Sequence, residues 1–412
     1  MIGAIVAVDV EFEAGLVAAL TGLADVEVLA RPADDVDLLA AAQAGQGSVA
    51  VLSRHFPGAD AEVVRRLLGS GAKVLGFGAD AEVFARWGVR HTVSPWAEPE
   101  ALAAALRDCA ADLEAPPKPA APPAGGSGAR RAPLIAVWGT GSAPGRSTVA
   151  AGLAHALAQS VECVLVDADT VAAAQAPMLG ILDDAPHLAA LCRAAAAGPL
   201  DAEQVGAHIV PLSQRLGLVT GLSRPERWPE IRPGVLAEVL GALAERAQCL
   251  VADVSDRIDP DDEFADPHYD RHGATRAVLD AADHVVIVAG AEPLSLQRLI
   301  ALLAGERGQE LRERCTIVLN RVRAQAVGAD PERRIAETLE RFAGVVGATM
   351  LPDARPDVDA ALLAARTVTE HAPHSALSRA LRKLAAQLPV PGAAQPRRAA
   401  GGRRGRRGKM KP

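Results

Sequence analysis

The stretch WGTGSAPGRST, residues 138 to 148, follows an apolar run, PLIAVW, and precedes a run of helix formers, RSTVAAGLAHALAQ. Glycines between a strand and a helix let backbone N–H groups close around phosphate oxygens at the helix N-terminus. A cation and a hydroxyl in the first helical turn then reach the terminal phosphates and magnesium. Gly145, Arg146, Ser147 and Thr148 stand at the positions of G-K-[ST]-[ST], with Gly141, Ser142, Ala143 and Pro144 ahead of them. Two features depart from the pattern: Thr140 occupies the place of the first glycine, and Arg146 replaces the lysine. The competing reading is a glycine-rich turn that binds nothing.

Four features downstream come in the order such a site requires. VLVDADTVAAAQAPMLGI puts Asp167 and Asp169 at the end of the next strand, and CLVADVSD puts Asp253 where a Walker B acid lies. TIVLNRV ends a later strand on Asn320, and MLPDA follows the last strand. Each has a structural alternative: Asp167 and Asp169 cap the next segment, Asp253 is an ordinary strand-end acid, and Asn320 closes a turn. Taken together and in this order, they favour a nucleotide site.

The elements that must position these residues alternate as strand and helix. Strands are expected near 134–138, 162–167, 215–220, 249–254, 284–289, 315–321 and 345–351, with helical stretches between them. Continuous apolar strands such as CLVADV and HVVIVAG suit a parallel sheet buried on both faces. Residues 1–114 carry five shorter strand–helix pairs, from IGAIVAVDV to PEALAAALRDCAADL, which predict a second, smaller doubly wound sheet. The fold class is therefore α/β throughout: a C-terminal mostly parallel sheet covered on both faces, behind an N-terminal flavodoxin-like domain.

Residues 115–133, APPKPAAPPAGGSGARRAP, have the composition of a semi-stiff spacer and mark the boundary between a domain at 1–114 and one at 134–388. From Pro389 to Pro412 the chain lacks apolar residues able to order it and is expected to be a disordered basic tail. The 412 residues carry a formal net charge of −7, yet the tail holds eight basic side chains and no acid, which leaves −15 on the rest. Half the residues are apolar, which excludes a disordered chain. No run approaches roughly 18 uninterrupted apolar residues, and the N-terminus lacks a signal-peptide pattern, so the expected location is cytoplasmic, without a transmembrane segment. Five scattered cysteines without a C-x-x-C pair read as buried, reduced thiols. The acidic segment 256–273 lacks the glycine and terminal glutamate of a calcium loop and reads as solvated. Trp228, among charges, is either a partner-facing side chain or a packed anchor.

The ordered set of motifs resembles the MinD/ParA family of deviant-Walker P-loop ATPases over residues 134–388. The two-domain order is nearest to the CpaE/TadZ-type members, which join a receiver-like domain to such an ATPase and act in pilus assembly or septum positioning. The resemblance implies ATP and magnesium as cofactors and a homodimer. The backbone from Ser142 to Gly145 would cradle phosphate, and Ser147 would bind magnesium with help from Asp253. Asp167 and Asp169 would be the family's D-x-D, the second acid polarising the attacking water, and Asn320 would read the adenine edge. The family's signature lysine aligns with Gly141 and its P-loop lysine with Arg146, a bulky planar cation in place of a compact one. Phosphoryl transfer rests on positioning and charge neutralisation, so the expectation is nucleotide binding with slow or absent hydrolysis.

Within the N-terminal domain, Asp9 and Glu11 could supply a receiver's acidic pair. Its third strand ends on Ser53 and its fifth reads Ser94-Pro95, so the phosphoryl acceptor is missing and a pseudo-receiver used for contacts is expected. The implied partners are proteins at a pole, septum or pilus apparatus. The basic tail suggests nonspecific contact with nucleic acid or, peripherally at the inner face, with anionic membrane. A DNA-partition ATPase and a nucleotide-free scaffold are the alternative functions. A tyrosine kinase on the same core is disfavoured because Tyr269 is the single tyrosine.

Overall fold

Short runs of valine, isoleucine and alanine with almost no polar interruption build two separate parallel sheets. The computed structural model describes residues 1–112, 131–141, 145–197, 200–259 and 270–393. The expected spacer (but for residues 131–133), the loop positions Ser142, Ala143 and Pro144, Tyr269 with most of the acidic segment, and all but the first residues of the basic tail lie outside them.

In the first domain β1 (Ile2–Ala7), β2 (Val26–Ala30), β3 (Val49–Ser53), β4 (Lys73–Phe77) and β5 (His91–Val93) pair in parallel in the order β2-β1-β3-β4-β5. This is the flavodoxin-like order expected from the sequence. The Ser53 hydroxyl ends β3 almost fully buried and accepts a hydrogen bond from the Asp9 backbone N–H at 3.1 Å.

The second domain holds β6 (Leu134–Gly139), β7 (Cys163–Asp167), β8 (Val210–Pro211), β9 (Leu216–Val219), β10 (Cys249–Asp253), β11 (His284–Gly290), β12 (Cys315–Val322) and β13 (Thr349–Pro352). Their order is β13-β12-β11-β6-β10-β7-β9-β8, parallel except for the short edge strand β8, which runs against β9. All six residues of β6 and all five of β7 and β10 are buried, because helices cover both faces. The chain leaves β6 between β10 and β11, which continue the sheet in opposite directions. A sheet with such a switch point opens a crevice beyond the carboxyl ends of its strands.

Helix Arg146–Leu157 starts in that crevice and runs back across the sheet with eight of its twelve residues buried. Its far half is seated by the last part of the chain. The Thr369 hydroxyl donates to the Gly152 carbonyl at 3.2 Å and lies 2.9 Å from His155 Nδ1. Helix Ala376–Ala385 packs alongside through Leu377, Leu381 and Leu384.

Two expectations need correction. The chain past Pro389 does not lose order at once: Leu388 and Val390 are buried in the same core as Val161, so order persists to Ala393. A single valine between prolines suffices when a preformed apolar hollow receives it. Of the five cysteines four are buried, but Cys315 at the start of β12 is partly exposed. Trp228 packs against the core of the second domain rather than standing free.

Among the described residues the helix Pro233–Ala244 of the second domain packs against the helix Ala61–Gly69 of the first. Arg232 precedes helix Pro233–Ala244 and donates to the Gly58 carbonyl at 2.9 Å and to Asp60 at 3.3 Å. Asp60 is itself buried, its other oxygen capping helix Ala61–Gly69 through the Val63 N–H.

Candidate functional site

The turn after β6 enters its helix through Gly145, whose φ of +91° lies in the left-handed region that favours glycine. A Cβ at this position would also lie 2.6 Å from Asn320 Nδ2. The strand end and helix start are thus fixed so that the first-turn residues Arg146, Ser147 and Thr148 face the crevice between β6, β7, β10 and β12.

The crevice floor is acidic. Asp167 and Asp253 lie opposite one another on neighbouring strands, and with Asp169 all three are at most 4 % exposed. Burial and the charge of Asp253 push Asp167 up to about 8. Burial also raises Asp253, to about 6, against hydrogen bonds from Ser147 and Gln175 that favour its charge.

The sequence-predicted residues are brought together but differ in what they do locally. Asp167 Oδ2 accepts from the backbone N–H groups of Ala174 and Gln175 at 3.0 and 2.9 Å, the work of a cap. Asp169 Oδ1 accepts from Val171 and Ala172, both at 2.8 Å, while its Oδ2 faces Arg146 Nη2 at 4.0 Å. The Arg146 guanidinium is folded back: Nη1 donates to the Thr140 carbonyl at 3.1 Å and Nη2 to Asp256 at 3.2 Å. Asn320 is buried at the end of β12, and its side-chain oxygen accepts from the Arg321 N–H at 2.9 Å. Arg321 takes a positive φ of 59° at the register irregularity between Leu319 and Val322, beyond which β12 pairs once more with β13.

Sequence reasoning missed Gln175 and Asp256. The Gln175 side chain is fully buried and its Nε2 donates to Asp253 at 2.7 Å and to the Ser147 carbonyl at 3.1 Å. Its only signal was a polar residue eight positions after Asp167, inside an alanine-rich run. Asp256 belongs to the acidic segment expected to be solvated, yet its carboxylate pairs with Arg146.

Buried polar atoms without partners concentrate here. Among the described residues Thr140 Oγ1, Arg146 Nε, Gln175 Oε1 and Asp253 Oδ1 are four of the ten such atoms. Buried polar groups are rarely left unpaired without reason, so this clustering marks a place completed by something other than the chain. Beside it lies a cavity of about 360 Å³ lined by Gly145, Thr148, Asn320, Arg321, Asp353 and Asp359 among others. Its volume suits a ring system of nucleoside size.

A parallel sheet, a left-handed glycine opening a buried helix, and acids on the two adjoining strand ends define the P-loop class of nucleotide-binding folds. Within that class the chain belongs to the CobQ/CobB/MinD/ParA nucleotide binding domain family, whose sequence model, CbiA, matches residues 135–360. Among solved structures it is similar to a ParA family ATPase from Chlorobium tepidum. The identity is 22 %, over 63 % of this chain and all of that one, with a TM-score of 0.52. The cell division ATPase MinD of Pyrococcus furiosus matches at 20 % identity over 61 % of this chain and 96 % of its own, TM-score 0.47. The septum site-determining protein MinD of Pyrococcus horikoshii, complexed with Mg-ADP, matches at 18 % over 62 % and 95 %, TM-score 0.48. At these identities the likeness is one of fold. No curated protein matches the chain. Among the described residues no helix is long and apolar enough to cross a membrane.

Proposed function

We propose that the protein is an ATP- and magnesium-binding switch of MinD/ParA type that hydrolyses slowly or not at all and positions a cellular machine. The observation that carries this reading is Asp253, buried at the end of β10 with its Oδ1 unpartnered, whose carboxylate is also met by Ser147 in the first turn of the helix that follows Gly145. Magnesium takes oxygen ligands and keeps several waters, so one hydroxyl, one neighbouring carboxylate and the phosphates fit it. Ser147 would hold the ion and Asp253 its waters. The ion would neutralise charge on the terminal phosphates.

The chain's own residues have distinct roles in this proposal. The loop from Gly141 to Gly145 is the part that would cradle the phosphates, while Thr148 and Asn320 line the cavity that would take the base. Asp169 orients water through its outward oxygen, and Asp167 holds the turn that follows. Arg146 supplies positive charge as a bulky planar fork in place of a compact ammonium, and without ligand it is paired with Thr140 and Asp256; the less compact cation supports slow turnover.

The order of a flavodoxin-like domain before the ATPase domain supports a CpaE/TadZ-like role at a pole, septum or pilus apparatus, with the N-terminal domain as a pseudo-receiver. Ser53, buried and bonded to Asp9 where an acceptor aspartate would stand, supports contact rather than phosphorylation. Dimerisation belongs to the same proposal, and peripheral attachment through the basic tail would follow from its charge. That tail also favours a second reading, a partition ATPase that binds DNA nonspecifically. One titration with Mg-ATP, following bound nucleotide, released phosphate and mass together, tests the switch. Bound nucleotide with a change in mass and little phosphate is the expected result, and no binding would refute it. Salt-sensitive DNA binding that requires ATP would move the assignment to the second reading.

A further inference from the structure

Three residues around the helix start form one unit. Arg146 is only 12 % exposed at its side chain, and its ion pair with Asp256 joins positions 110 residues apart. Asp256 is held from two sides: its carboxylate meets the guanidinium, and its carbonyl accepts the indole N–H of buried Trp138 at 3.3 Å. The third member is Gly141, where a Cβ would lie 2.9 Å from Asp256 Oδ2. The carboxylate therefore leans over the entry to the phosphate turn, in space that a side chain at 141 would contest.

This arrangement leaves the guanidinium incompletely satisfied. Nη1 and Nη2 have partners, whereas Nε is buried and has none. Arginine presents donors in a planar fork that matches a phosphate at least as well as a carboxylate. A ligand with more negative charge than one aspartate can thus take the guanidinium from Asp256, and one that does not reach Arg146 cannot.

We propose that Asp256 determines the ligand specificity of this site as an internal competitor, holding Arg146 until a polyphosphate displaces it. The inference rests on the nucleotide reading of the same site. It makes Arg146 the reporter of terminal phosphates and residues 254–259, which carry Asp256, the first part of the chain to feel them. Trp138 then registers the exchange, because its indole N–H is bonded to the residue that is released.

The test compares wild-type protein with Asp256→Asn, binding a non-hydrolysable ATP analogue with magnesium and, separately, AMP, by calorimetry. Removal of a partly buried competing charge should tighten triphosphate binding about five- to tenfold and leave AMP unchanged. Triphosphate affinity within about twofold of wild type, or weaker, overturns the competition while the nucleotide reading stands. Failure of both proteins to bind any triphosphate removes the nucleotide reading and this inference with it. A second measurement needs no charge variant: the analogue should change the tryptophan emission of the wild-type protein, and Trp138→Phe should abolish that change. Saturating binding with no emission change from Trp138 also overturns the proposal.

Discussion

Gln175 ties the acid at the end of β10 to the first turn of the helix after Gly145, because one amide nitrogen donates both to Asp253 and to the Ser147 carbonyl. The amide fixes the distance between a carboxylate and a helix start that together would frame a metal ion.

Replacing Gln175 by leucine keeps the volume and removes the donor. A buried charge that loses a hydrogen bond costs about 1.5–3 kcal/mol, so Gln175→Leu should lower the unfolding free energy by that order in denaturant titrations. Magnesium-dependent nucleotide binding should weaken as well. Unchanged stability and affinity would show that the bridge is dispensable.

Asp167 and Asp253 make stability depend on pH. Both are raised above the ordinary aspartate value of 3.8, to about 8 and about 6, so the native state holds their protons more tightly than the unfolded chain. The stability they contribute is complete below about 4 and is lost as pH rises through about 6 and then about 8. Thermal unfolding of the nucleotide-free protein between pH 5.5 and 8.5 should therefore show a falling midpoint. Magnesium nucleotide should oppose the fall, giving a larger stabilisation at the alkaline end. A midpoint that rises across the window would refute the assignment.

Arg146→Lys should restore a compact cation to the phosphate turn. Phosphate release is expected to increase about tenfold, with nucleotide affinity changed much less, since charge placement matters most in the transition state. A single-turnover assay measures this directly. Equal rates in the two proteins would show that the arginine does not limit turnover.

Gly145→Ala forces a side chain into the left-handed region and against Asn320. The backbone term alone costs about 1–2 kcal/mol. Nucleotide binding should be lost even where the protein remains folded, as judged by circular dichroism and titration of the same sample.

Much of the architecture was readable from local pattern. Buried parallel strands are nearly uninterrupted apolar runs, so CVLVD, CLVAD and CTIVLNRV declare themselves, and Asp167, Asp253 and Asn320 stand at or near their carboxyl ends. Strand β8 escaped because Val210 and Pro211 alone give no periodicity to detect. Val390 escaped because the hollow that receives it is made by residues far away in the chain. The same limit applied at the site. The pairing of Arg146 with Asp256, and of Gln175 with Asp253, are facts of three dimensions, whereas the glycines and strand-end acids are facts of sequence order.

The Thr369 hydroxyl on the Gly152 carbonyl, with helix Ala376–Ala385 beside it, anchors the phosphate-turn helix from behind. The helix that begins at the turn is thereby moored to a segment 217 residues further along the chain. A nascent chain can pair β6, β7 and β10 early, but the helix gains this footing only after residues 369–385 have been made, so the sheet can form well before the helix that crosses it is fully seated.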